Sequence, residues 1–135
     1  MFDGFLVQPK TAITGKGDSG PLDISEAGNR VFLLTLAITS VIEQESIEVS
    51  VFTSADGTAW EAKPVAALLQ KFYVGEYPLL IDLSATPNAK FVRAHWEVSR
   101  WGRGPNTTKF EIALRLREVS QRALQEARAE AQARR

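Results

Sequence analysis

His95 stands two residues from Arg93 and two from Glu97. On an extended chain that spacing puts all three side chains on one face. An imidazole beside a carboxylate can move protons, the basis of general acid–base catalysis. The rest of the chain does not complete such a site. No serine or cysteine stands in a recognisable nucleophile motif, and His95 is the sole histidine in a chain without cysteine, so zinc finds no ligand set. Polar pairing across strands on an outer sheet face is the stronger reading of this trio. Asp18, Asp23, Asp56 and Asp82 offer oxygens that suit calcium, but they are scattered, with no Asp-x-Asp-x-Asp spacing. Gly102-Arg103-Gly104-Pro105 lacks the strand–loop–helix setting of a phosphate-binding glycine loop. No catalytic residue, metal or cofactor is assigned.

Aromatic residues carry more weight, as binding groups. Trp60, Trp96, Trp101, Tyr73 and Tyr77 have faces that could stack on sugar rings. Alternation places Trp96 in the core, and Trp60, just past a turn, covers a sheet edge or the core's end. Trp101 falls beside a Gly/Arg loop with Arg100 and Arg103 as neighbours. Interface hot spots favour Trp, Tyr and Arg. Arg100, Trp101 and Arg103, with Tyr73 and Tyr77, are therefore the candidate binding residues, for a protein partner or a glycan. The alternative for Trp101 is packing over the end of a sheet.

The elements that must hold these residues are strands. Val31–Thr39 is rich in β-branched and large apolar residues and reads as a central strand buried on both faces. Ser46–Thr53 alternates, with Ile47, Val49 and Val51 inward and Glu48 and Ser50 outward. Asp56-Gly57 follows as a type I′ hairpin signal, and Trp60 returns on the next strand. Pro64–Phe72 has some helical propensity, but close turn signals favour a strand. Tyr77–Leu83 is a short strand with Pro78 at its start, where a lost donor is tolerated. Lys90–Ser99 puts Val92, Ala94, Trp96 and Val98 on one face; Phe110–Leu116 alternates most cleanly. Val7–Thr14 and Leu22–Ser25 look extended and flank Gly15–Pro21, a loop with no regular structure. About eight short strands separated by turns predict an all-β antiparallel sandwich, jelly-roll-like. From Val119 the pattern changes to Ala, Arg, Glu and Gln, without Gly or Pro, which predicts a C-terminal α-helix. The domain plan is a sandwich over 1–118 and a helical tail over 119–135.

A chain of 135 residues fits one domain. Its net charge is zero but uneven: residues 1–90 hold 6 basic against 11 acidic groups, and residues 91–135 hold 10 against 5. That asymmetry fits complementary surfaces within or between subunits better than nucleic acid, which needs a domain-wide basic excess. No apolar run approaches the roughly 18 residues of a membrane span. The N-terminus lacks the basic start and long apolar run of a secretory signal. A cytoplasmic or particle-associated location is expected, without nucleic-acid or membrane partners.

Ser54-x-Asp56-Gly57-x-x-Trp60, followed by Phe91-Val92-Arg93, resembles a pattern of discoidin-type sandwich domains. The same pair is similar to small β-sandwich proteins encoded among phage and prophage structural genes. There a central apolar strand like Val31–Thr39 precedes the Asp-Gly hairpin. A strand like Phe91–Val98 and a final strand like Phe110–Leu116 follow. This second resemblance spans roughly residues 12–117. It implies a non-enzymatic structural or assembly protein, a homo-oligomer or the partner of another protein. The alternative from the aromatic residues is a carbohydrate-binding module.

Overall fold

A computed structural model describes residues 2–41, 45–100 and 109–120, together with positions 122 and 129. The predicted helical tail lies almost wholly outside the described residues. Among the described residues nine strands run in the order β1 (Asp3–Ile13), β2 (Gly17–Asp18), β3 (Leu22–Asp23), β4 (Val31–Val41), β5 (Glu45–Ser54), β6 (Ala66–Lys71), β7 (Gly75–Asp82), β8 (Phe91–Arg100) and β9 (Phe110–Glu118). They form two sheets, β1-β9-β4-β7 and β2-β8-β5-β6, with β3 also paired to β8.

The connectivity is nested. β2 and β3 act as one interrupted strand along β8. First then pairs with last (β1 with β9), second with second-last (β2 and β3 with β8), β4 with β7, and β5 with β6, all antiparallel. A long hairpin whose tip is the β5–β6 connection, rolled so that its halves form two layers, gives this order. It is the jelly roll. The additional β4·β9 and β5·β8 pairs close each layer. Among the described residues, no helix is long and apolar enough to cross a membrane.

Alternation decides which side chains fill the space between the layers. Phe32, Leu34, Leu36 and Ile38 of β4 face Ile47, Val49 and Val51 of β5 across the sandwich, and all are essentially inaccessible to solvent. Val92, Ala94 and Trp96 of β8 and Ile112, Leu114 and Leu116 of β9 complete the core. Each fully buried Leu, Ile or Phe contributes about 1.5–3 kcal/mol. Residues 66–71 are a strand, as the bounding turns indicate. Pro78 sits on the edge strand of its sheet, where its missing N–H breaks no inner ladder.

Three local expectations change. β4 is central but not buried on both faces: Leu33, Thr35 and Ala37 on its outer side are only half covered. Apolar composition there reflects shading by neighbouring strands, not a second core. Gly15–Pro21 does contain structure, because Gly17 and Asp18 pair with Trp96 and His95. A Cβ on Gly17 would lie 3.1 Å from the Trp96 ring, so the indole closes over a bare backbone. The Asp56-Gly57 turn is not a two-residue type I′ hairpin. Ser54 and Trp60 form the closing bridge around residues 55–59, and only Gly57 among these has positive φ, at 85°.

Candidate functional site

The two sequence stretches that carried the resemblance meet in space. The Ser54 hydroxyl accepts from the Gly57 and Asp56 amides at 2.9 and 3.2 Å and donates to the Ala59 carbonyl at 2.6 Å. The Asp56 carboxylate accepts from the amides of Ala59 and Thr58, both at 2.9 Å. Those N–H groups hold its pKa down at about 2, against 3.8 ordinarily. Gly57 rests on the Phe91 ring, where an added Cβ would lie 3.5 Å away. The Arg93 guanidinium lies 4.5 Å over the Trp60 ring, a cation–π pair. Trp60 therefore covers the outer face of the β8 sheet, beside Arg93, and not the end of the core. The Arg93 Nε is buried without a hydrogen-bond partner among the described residues. Residues 54–60 and 91–93 form one lock that fastens the tip of the rolled hairpin onto β8.

That lock lies at an end of the sandwich where other connections are also tied. Arg30 donates through Nη2 to the carbonyls of Ala89 and Thr86 at 2.7 and 2.8 Å. The buried Glu118 carboxylate accepts from the amides of Asn29 at 2.7 Å and Phe2 at 2.9 Å. These bonds, the one from Phe2 foremost, lower its pKa.

On the same outer face as Arg93, His95 pairs through Nδ1 with Asp18 at 2.8 Å and through Nε2 with Glu97 at 3.4 Å. The Phe52 ring stands edge-on to it at 6.5 Å. Asp18 arrives from β2, inside the stretch expected to be irregular. Both ring nitrogens are thus occupied by carboxylates, the cross-strand one from Asp18, so outer-face polar pairing holds for His95 and Glu97 but not for Arg93, which lies over Trp60. The remaining aspartates are separate. Asp23 and Asp82 each accept from the backbone amide and hydroxyl of the serine two residues on, and the Ser25 bonds lower the Asp23 pKa. Among the described residues no cluster of three His, Asp or Glu side chains is arranged to hold a metal.

The opposite end differs. Leu69, Phe72, Tyr73 and Val74 are 80, 37, 75 and 60 % exposed, along one continuous run from β6 through the β6–β7 turn. Leu68 faces the core opposite Val49, so alternation puts Leu69 on the outer face, and the extra residue of β6 falls at Leu69-Gln70. Tyr77 donates its hydroxyl to the Tyr73 carbonyl at 2.7 Å and its ring packs against the core. Lys71 lies 5.1 Å over the Tyr77 ring. Tyr73 is thus a presented side chain and Tyr77 the strut beneath it. Arg100 ends β8 opposite Glu45, at this same end; Trp101 and Arg103 lie outside the described residues.

A second surface was not anticipated from sequence. Three residues of β1, Gln8, Pro9 and Lys10, stand against the single Ala113 of β9, because Val7 pairs with Leu114 and Thr11 with Ile112. The Thr11 hydroxyl closes the bulge on the Gln8 carbonyl at 2.7 Å, and Lys10 adopts φ 62°, a left-handed conformation rare outside glycine. The bulge overhangs a trough of about 400 Å³ on the outer face of β1-β9-β4-β7, whose floor includes Ala37 and Ala113. Its only sequence signal is the small outward residues Thr35, Ala37 and Thr39 on an otherwise large apolar strand.

Fold and surfaces together define a jelly-roll β-sandwich with an apolar run exposed at one end, although that end too is tied inside, where the buried Glu45 carboxylate accepts from the Lys109 amide at 2.9 Å. Comparison with known proteins finds no matching family model, no matching curated protein and no matching solved structure.

Proposed function

We propose that the protein is a non-enzymatic assembly module that acts by protein–protein contact, and that its contact surface is the β6–β7 corner pairing with a second copy of the chain. The observation that carries this reading is the uncovered run Leu69, Phe72, Tyr73 and Val74 beside an edge strand. An edge strand offers unpaired N–H and C=O groups, and proteins normally guard it with charge or proline. β6 has no proline, and its one charged residue, Lys71, is drawn back over Tyr77. A chain of zero net charge has no long-range repulsion against its own copy. The order of elements, which resembles small sandwich proteins of phage and prophage structural genes, supports the same reading.

Sedimentation velocity tests it. Wild type should sediment as a dimer or larger species at high micromolar concentration, and Leu69→Lys should shift it to monomer. A wild type that stays strictly monomeric there contradicts the proposal.

A further inference from the structure

The trough on the β1-β9-β4-β7 face has a distribution of charge that specifies a ligand. On its β1 and β9 side stand Lys10, Arg115 and Arg117. Arg115 is committed, donating through Nε at 2.9 Å and through Nη2 to the two oxygens of Asp3, which lowers the Asp3 pKa. The direct register partner of Asp3 is Arg117, yet Asp3 reaches diagonally to Arg115. The Arg117 and Lys10 side chains make no hydrogen bond or salt bridge among the described residues, although the Arg117 charge helps to lower the Asp3 pKa. Across the floor, Glu76 of β7 pairs in register with Ala37 and brings a carboxylate to the far rim. The trough thus carries Lys10 and Arg117 on one side, beside the Asp3–Arg115 pair, and Glu76 on the other, with the Thr35 hydroxyl along its length, the Thr39 hydroxyl donating to Glu111, and the half-exposed Phe5 ring at its wall.

We propose that this trough binds a small hydroxylated carboxylate, chemically a sugar acid. Its carboxylate would meet Arg117 and Lys10, an arrangement in which charge-assisted hydrogen bonds are short and strong. Its hydroxyls would donate to Glu76 and to the Thr39 oxygen, whose own proton goes to Glu111, and would exchange hydrogen bonds with Thr35. Its C–H face would lie on Phe5. The volume is at the small end of ligand sites, roughly 300–1,000 Å³, and fits one ring. Ala37 and Ala113 are what make the depression: a larger residue at either position fills it. Lys10, in a left-handed conformation costly for a residue with a Cβ, belongs to the bulge and lines the trough. This site lies on the opposite layer from β6 and does not depend on self-association.

The test is an NMR titration of the full chain with glucuronate, with glucose as the neutral comparator, on wild type, Arg117→Gln and Ala37→Leu. Glucuronate should shift the amides of Lys10, Ala37 and Ala113 saturably in wild type, and glucose should not. Arg117→Gln should bind about tenfold more weakly, the scale of one lost charge-assisted contact, and Ala37→Leu should not bind. Both substitutions are on the outer face, and dispersed spectra will show that each variant is folded. No saturable shift with glucuronate, equal shifts with glucose, or unchanged affinity in Arg117→Gln would overturn the proposal.

Discussion

The two ends of the sandwich solve opposite problems. At one end the chain's polar groups are turned on each other: Ser54 and Asp56 satisfy the amides of their own turn, Arg30 spans two connections, and Glu118 holds Phe2 and Asn29. At the other, Leu69, Phe72, Tyr73 and Val74 are left facing outward. The bonded end contains the most recognisable motif in the sequence, and it is scaffold. The apolar end contains no motif at all, and it is the surface proposed to meet a second copy of the chain. A motif of Ser, Asp and Gly is conspicuous because local hydrogen bonding constrains residue type strongly, and the same bonding consumes its chemistry.

Breaking the bonded end should have the largest effect on stability. Ser54→Ala removes the hydroxyl of a residue that is 2 % exposed and leaves the Gly57 and Asp56 amides without their acceptor. Urea denaturation should show a loss of about 1 kcal/mol, the net worth of hydrogen bonds at a partly buried site. A loss near zero would mean that the lock does not hold the hairpin tip.

Acid should loosen the same end. The Asp56 carboxyl titrates at about 2 in the fold and at 3.8 ordinarily. A depressed folded pKa means that the unfolded chain takes up the proton first. The stabilisation is therefore complete above about pH 4 and is lost as pH falls toward about 2. Glu118, Asp3 and Asp23 shift in the same direction and act with the same sign. Asp56→Asn should flatten, without abolishing, the fall in denaturation midpoint across that window. An unchanged slope would show that the carboxylate is no tighter in the fold than out of it.

Substitution at the apolar end should do the reverse. Leu69→Lys, at a side chain 80 % exposed, should change monomer stability by no more than about 0.5 kcal/mol while altering association. Urea unfolding of the dilute protein checks this. A large destabilisation would place Leu69 in the scaffold and dissolve the contrast between the two ends.

How much of this was legible in the sequence follows from the range of the interactions. Ile47, Val49 and Val51, and Ile112, Leu114 and Leu116, announce their strands because alternation is a local property. Trp96 was placed in the core by the same rule. The β4 strand misled, since outward Leu33 and Ala37 look like core residues until neighbouring strands show that only one face meets the other layer. Asp56-Gly57 signalled a turn, but not that Ser54 would close a wider one around its own hydroxyl. The trough depends on three residues of β1 standing against one of β9. That is a fact of register between strands about a hundred residues apart, and no local pattern carries it. Likewise, the exposure of Leu69 and Val74 is decided by which strands become edges. Tyr73 was chosen from residue type, and its neighbours in the run only from the fold.

Hydrogen exchange read over both ends at once, as a function of protein concentration, tests the central claim most directly. If the β6–β7 corner pairs with a second copy, amides in residues 66–74 should exchange more slowly as concentration rises from low to high micromolar, and those in residues 54–60 should not change. Exchange in residues 66–74 that is independent of concentration would contradict the account.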